Sequence, residues 1–121
     1  MLAAFTVPIL VVIGLYTAGA IGQLFAPRAF LGMLFGVKTE DAFTLFIARH
    51  WALLASLVGA LLVYAAYHPE VRAPALLVAI VEKLSVAPLL LLGPWPRTPA
   101  ATRMAVIDGV MGLVLAGCLL G

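Results

Sequence analysis

Two opposite charges stand side by side in an apolar stretch, Glu82 and Lys83 in the segment AIVEKLSVA at residues 79–87. No other charged residue occurs between Arg72 and Arg97. A carboxyl group that is removed from water can serve as a general acid or base near neutral pH. Glu82 is therefore a candidate for proton transfer, and Lys83 is a candidate for holding charge beside it.

Three further ionisable residues lie deep in other apolar segments. His50 is the strongest acid–base candidate because imidazole titrates near neutral pH, and it directly follows Arg49. Asp108 is as well suited to holding an arginine as to acting as a catalyst. One histidine and two carboxylates could bind a metal ion, but the cations Arg49 and Lys83 would repel it. We therefore predict no metal site and identify no cofactor.

The composition excludes a water-soluble domain. Of the 121 residues, 65% are hydrophobic and 10% are charged, and the mean hydropathy is +1.22. Soluble domains carry about 25% charged residues. The net charge of +2, with no basic cluster among aromatic residues, excludes a nucleic-acid surface. His50 and His68 lie about 27 Å apart along one helix, too far for a bis-histidine haem.

Four apolar segments are long enough to cross a bilayer, which takes about 20 residues. They cover residues 3–25, 41–67, 74–93 and 99–120. We therefore predict an all-α fold, an integral membrane bundle of four transmembrane helices in a single domain, residues 1–121. The expected binding partner is membrane lipid or a lipophilic small molecule. A homo-oligomer is possible.

Cap residues predict where the helices begin and end. Thr39 is placed to cap the second helix, Pro74 to open the third, and Thr98 to cap the fourth. The first connection is apolar, and a short interfacial helix is predicted between Pro27 and Gly36. Pro88 is expected to kink the third helix one turn after the Glu–Lys pair.

The distribution of Lys and Arg predicts the orientation. The first and third connections carry Arg28, Lys38, Arg97 and Arg103, and the second carries only Arg72. Cytoplasmic loops are enriched in positive charge, so the first and third connections are predicted to face the cytoplasm. Both chain termini are then predicted to face outward.

Small residues recur at every fourth position of the second helix, at Ala48, Ala52, Ser56 and Ala60. Small residues at this spacing allow helices to approach closely in lipid. This stripe is expected to be a packing face.

The deep charges fall at a common depth. Counted from the cytoplasmic edge, Arg49 and Asp108 lie about 10 Å inside and Glu82 about 15 Å inside. The four formal charges sum to zero, Arg49 and Lys83 against Glu82 and Asp108. Exposing each charge to lipid would cost about 2.5–3.5 kcal/mol, so we expect an interior cluster in which opposite charges pair. We expect Arg49 to pair with Asp108, and Lys83 with either carboxylate. The residues expected to line a pocket are Tyr16, Trp51 and Ser85, although the two aromatic residues could instead simply pack.

A first helix ending in LFAP is followed by the hydrophobic connection RAFLGMLFGV and by ARHWALLASLVGALLVYAA. This layout resembles the DoxX-like group of small bacterial four-helix membrane proteins. The resemblance implies a multi-pass protein of the bacterial inner membrane, and Arg49 is the residue that it carries over. Some members are associated with quinone or thiol redox systems, but this chain has no cysteine pair for a thiol role.

The function expected is that of a membrane-embedded enzyme or binding protein for a small isoprenoid, sterol-like or quinone-type molecule. An enzyme of this kind would perform acid–base chemistry, as an isomerase does. His50 and Glu82 would move protons, and Arg49, Lys83 and Asp108 would orient them. A proton-coupled transporter and a structural or accessory subunit are the alternatives.

Overall fold

A computed structural model describes residues 2–93 and 98–121, with side chains from residue 4 onward. All regular structure in these residues is helical. The α-helices are α1 (Thr6–Ala18), α2 (Gly22–Phe25), α3 (Pro27–Phe35), α4 (Ala42–Tyr67), α5 (Arg72–Leu91) and α6 (Pro99–Leu120). Short 3-10 turns precede α1, α2 and α5. Arg97, which entered the orientation argument, lies outside the described residues.

Four helical spans are long and apolar enough to cross a membrane. They are Thr6–Phe25, Ala42–Tyr67, Pro69–Leu91 and Pro99–Leu120. The first span consists of α1, a 3-10 turn and α2 in succession. The prediction of an all-α four-helix membrane bundle is therefore confirmed, and the chain is a multi-pass membrane protein.

Polar caps fix the starts of the long helices. The Thr98 side chain accepts a hydrogen bond from the Ala101 N–H, as predicted for α6. The cap of α4 is Asp41 and not Thr39, because the Asp41 carboxylate accepts the Thr44 N–H at 2.8 Å. Hydrogen bonds from the hydroxyl and the N–H of Thr44 hold the pKa of Asp41 below its usual value.

Helix α5 begins two residues earlier than predicted, at Arg72. Pro74 is still inside the first turn, where the missing N–H of proline removes no helical hydrogen bond. The helix continues through Pro88, whose ring is exposed, to Leu91.

The predicted short helix in the first connection is α3. It starts at Pro27 and ends at Phe35, and the following Gly36 adopts the left-handed conformation with φ 67°. The Thr98 hydroxyl donates a hydrogen bond to the Phe35 carbonyl oxygen and so joins the end of α3 to the start of α6. Helix α3 also contacts α2 and α4, so it folds across one end of the bundle.

The bundle consists of two helix pairs, because the most extensive contacts join α1 to α4 and α5 to α6. The first pair is held backbone to backbone. A β carbon added at Gly59 would meet the Ala18 nitrogen and would lie 2.5 Å from the Gly14 carbonyl oxygen. A β carbon at Gly14 would lie 2.8 Å from the Gly59 carbonyl oxygen.

The inward face of α4 is made mainly of small residues. Its members are Leu45, Ala48, Ala52, Ala55, Ser56, Gly59, Leu62, Ala65 and Ala66. Ala60 was expected on this face but is exposed. Residues four apart differ by about 40° around a helix, so three such steps carry a side chain about 120° away.

The interior differs along the bundle axis. At the end away from α3, Leu10, Leu62, Leu76 and Leu115 form a core that is at most 2% exposed. Where α3 packs on α4, a smaller cluster contains Leu31 of α3 with Leu45 and Ala48 of α4. The ionisable interior residues lie between these two clusters.

The close approach of α1 and α4 predicts an unfavourable Gly59→Ala substitution. The added methyl group would meet backbone atoms of α1, which cannot rotate aside, so we expect a loss of about 1–3 kcal/mol. The measurement is the free energy of unfolding in mixed micelles by denaturing-detergent titration.

Gly109→Ala on α6 is the matched control, because a β carbon there meets no atom within 4 Å among the described residues. It should gain up to about 1 kcal/mol from helix propensity. Equal effects at both positions would contradict the contact between the α1 and α4 backbones.

Candidate functional site

Three ionisable side chains meet inside the bundle, and we call Glu82, Lys83 and Asp108 the triad. The Lys83 Nζ atom lies 3.6 Å from Glu82 Oε1 and 3.7 Å from Asp108 Oδ1. The Lys83 and Asp108 side chains are 4% and 1% exposed, and Glu82 is 20% exposed. One ammonium group is thus shared by two carboxylates from different helices.

The expected pairing of Arg49 with Asp108 is wrong, because Lys83 occupies that position beside Asp108. Arg49 and His50 are both exposed on the outer surface of α4. The His50 ring stacks on Phe46, with the ring centroids 6.4 Å apart. Neither residue joins the triad, so the predicted cluster of five contains three members.

The packing of α4 explains why Arg49 and His50 face outward. The close contact with α1 places Ala48, Ala52 and Gly59 on the inner face. Consecutive residues differ by 100° around a helix, so residues 49 and 50 are carried progressively away from Ala48. Bulky charged side chains at the inner positions would separate α1 from α4.

A cavity of about 350 Å³ adjoins the triad. It lies between the two helix pairs, and α3 closes one side. Its lining residues are Tyr16, Thr17, Gly19, Ala20, Phe30, Met33, Leu34, Trp51, Ala55, Met104 and the triad. Tyr16, Gly19 and Met33 are exposed, so they form the rim through which the cavity communicates with the outside.

Of the three residues predicted to line a pocket, two lie on the cavity wall and one does not. Tyr16 and Trp51 lie on the cavity wall, and the Trp51 ring contacts Phe35 edge to face, with centroids 5.9 Å apart. Ser85 is not on that wall, and its hydroxyl donates a hydrogen bond to the Glu82 carbonyl oxygen at 3.0 Å.

Several buried oxygens at the cavity have no hydrogen-bond partner within the described part of the chain. They are Thr17 Oγ1, Glu82 Oε1, and both carboxylate oxygens of Asp108. Buried polar groups are normally hydrogen-bonded, and an exception calls for an explanation. Glu82 Oε1 and Asp108 Oδ1 have only the longer ion-pair contacts with Lys83, at 3.6 and 3.7 Å. Carboxylate oxygens accept hydrogen bonds, so these groups can receive a further donor.

Sequence reasoning missed the part that α3 plays in the site. Phe30, Met33 and Leu34 were assigned to an interfacial helix, yet they form one wall of the cavity. Met104, also missed, lies four residues before Asp108, and this spacing places both on one face of α6. This four-residue spacing was the sequence signal that could have placed Met104 at the site.

Comparison of the chain with protein-family models, with curated proteins and with solved structures gave no match.

The geometry predicts a large loss of stability for one substitution, at Lys83, and almost no change for another, at Arg49. Lys83→Met leaves the buried carboxyl groups of Glu82 and Asp108 without their cation, and we expect a loss of about 3–5 kcal/mol in unfolding free energy. Arg49→Met alters only an exposed side chain, and we expect a change within about 0.5 kcal/mol.

Denaturing-detergent titration of both variants is the measurement. Adding Asp108→Asn to Lys83→Met should recover part of the loss, because one uncompensated carboxylate is removed. A larger effect at Arg49 than at Lys83 would contradict the triad.

Proposed function

We propose that this membrane protein binds a small lipophilic molecule whose polar end donates a hydrogen bond to Glu82 or Asp108. The observation that carries the proposal is a pair of buried carboxyl groups on the wall of an apolar cavity. They share the Lys83 ammonium through ion-pair contacts and have buried oxygens with no hydrogen bond among the described residues. Ligand pockets are apolar concavities of about 300–1,000 Å³ with a few polar groups. The cavity lies near the lower end of this range and suits a small ligand.

The chemistry of the wall narrows the ligand class. An isoprenoid alcohol, a sterol-like molecule or a quinol offers a hydroxyl donor at one end of an apolar body. The rim at Tyr16 and Met33 provides a path from the bilayer for such a molecule. The resemblance to the DoxX-like group, some of whose members are associated with quinones, supports the same class.

Acid–base chemistry on such a ligand would rest on Glu82 and Asp108. Two carboxyl groups beside one ammonium group can hold a proton on one oxygen and accept a proton on another. An isomerase needs both acts at one site. His50 and Arg49 are exposed and take no part in this proposal.

Binding is favoured over transport by the packing at the other end of the bundle. Leu10, Leu62, Leu76 and Leu115 are at most 2% exposed and lie between the cavity and that end. A transporter of the predicted proton-coupled kind would have to separate this core in each cycle.

Farnesol, an isoprenoid alcohol, is the probe for the proposed binding. Ala55→Phe places a ring in the cavity, so farnesol affinity in lipid nanodiscs should fall at least tenfold, which is about 1.4 kcal/mol. Ala60→Phe, on the exposed face of the same helix, is the matched control and should bind as the unaltered chain does.

Calorimetric titration, corrected with empty nanodiscs, measures the affinity, and thermal unfolding checks that both variants fold. Equal binding by Ala55→Phe and Ala60→Phe would rule out the cavity as the site. Native mass spectrometry of the purified protein, repeated with Glu82→Gln, would identify a ligand that co-purifies.

We also propose that the chain resides in a bacterial inner membrane with both termini outward. Arg28, Lys38 and Arg103 lie at the α3 end of the bundle, and Arg72 lies at the other end. In a Cys118→Ala background, Glu70→Cys should react with an impermeant maleimide in intact cells. Lys38→Cys should react only after permeabilisation, and the reverse pattern would invert the orientation.

A further inference from the structure

The formal charges of the triad do not cancel. Glu82 and Asp108 each carry one negative charge when ionised, and the single ammonium group of Lys83 faces both. The fully ionised triad therefore has one negative charge in excess. Because Arg49 is exposed on the outer face of α4, it does not supply the missing positive charge.

The walls of the cavity supply no second cation within the described residues. Helix α1 contributes one titratable group, the Tyr16 phenol, which carries no positive charge in either of its protonation states. Helices α3 and α4 contribute only uncharged side chains, and α6 contributes Asp108 and Met104. No described wall residue therefore neutralises the excess negative charge of the ionised triad.

An uncompensated charge in an apolar interior is costly, so one positive charge is needed at the triad. It can be a proton on a carboxylate or a cation beside it. The cavity suits a cation in two ways. The carboxylate oxygens of Glu82 and Asp108 are acceptors, and the wall includes three aromatic residues, Tyr16, Phe30 and Trp51, whose rings attract cations.

We infer that the ligand of this cavity is a lipophilic cation, an amine protonated at neutral pH on an apolar chain, and that its binding releases one proton from the triad. The inference rests on the proposed function of the cavity as a ligand site. It favours a cationic polar end over the neutral hydroxyl and excludes anionic lipids.

The exchange is balanced in atoms and charge. In the unliganded protein, the proton is bonded to a carboxyl oxygen of Glu82 or Asp108. When the ammonium group of the ligand pairs with that group, the O–H bond breaks and the proton passes to water. No electron is transferred, and the site is neutral before and after the exchange.

Farnesylamine and farnesol form a matched pair of probes, since they share one chain and differ only in the amine or hydroxyl. The full-length protein in nanodiscs is titrated with each at pH 7, with empty nanodiscs as the correction for partitioning. Farnesylamine should bind at least tenfold more tightly than farnesol. Calorimetry in two buffers of different ionisation enthalpy should count about one proton released for farnesylamine and none for farnesol.

The pH dependence tests the same exchange. Over the pH range in which the unliganded triad holds its proton, from pH 7 downward, farnesylamine affinity should fall about tenfold for each pH unit that the pH is lowered, because one proton competes with one cation. Farnesol affinity should not show this slope. The titratable groups facing the ligand are the triad and Tyr16.

Asp108→Asn and Glu82→Gln each remove one negative charge and leave a neutral pair with Lys83. Either variant should lose the preference for farnesylamine and its proton release. Two variants on different helices are compared so that misfolding of one does not prevent the test. Thermal unfolding verifies each protein before titration.

The outcomes separate this inference from the proposed function. Equal affinity for the two probes, or tighter farnesylamine binding without proton release, would overturn the inference and leave the ligand site standing. If neither probe binds, both proposals are overturned. A preference for the amine that persists in both variants would also overturn the inference.

Discussion

Helices α1 and α4 approach so closely at Gly14 and Gly59 that a β carbon at either position would meet backbone atoms of the other helix. This contact fixes the rotation of α4 about its axis. Small residues must face α1, and Arg49 and His50 are turned to the outside. Lys83 is left as the cation that faces both carboxylates in the interior. The charge of the site thus follows from a steric constraint between two apolar helices.

The same bundle is packed at one end and open at the other. Leucines from all four spans fill the interior beyond the triad, whereas small side chains such as Ala20 and Ala55 line the space beside it. Helix α3 does not fill that space, because it lies across the end and presents Phe30 and Leu34 as a wall. A dense core and an apolar cavity with a few polar groups therefore coexist in a short chain.

The sequence was sufficient for the fold and for only part of the site. Hydropathy and length located the four spans, and Thr98 with Pro99 marked the start of α6 because a cap and an N1 proline act locally. The inward face of α4 could not be located in the same way. Leucines on its outer face are as apolar as the interior, so only the spacing of small residues marks the contact face. A strict four-residue spacing included Ala60 and missed Gly59.

The depth of the charges was also readable from the sequence, but their direction was not. Glu82, Lys83 and Asp108 meet because α5 and α6 pack along most of their length. Arg49 lies two residues before the wall residue Trp51 in sequence yet takes no part in the triad. Rotation about a helix axis is decided by tertiary packing, which a single sequence does not display.

The hydrogen bond from Thr98 to Phe35 has a mechanical consequence. It fastens the C-terminal end of α3 to the second helix pair, while Pro27 continues from the first pair through α2. Helix α3 is thereby a strut between the two pairs. Any motion that spreads the pairs must stretch, tilt or release this strut. Widening the cavity by separating the helix pairs therefore requires a change at this nine-residue helix or at its hydrogen bond to Thr98.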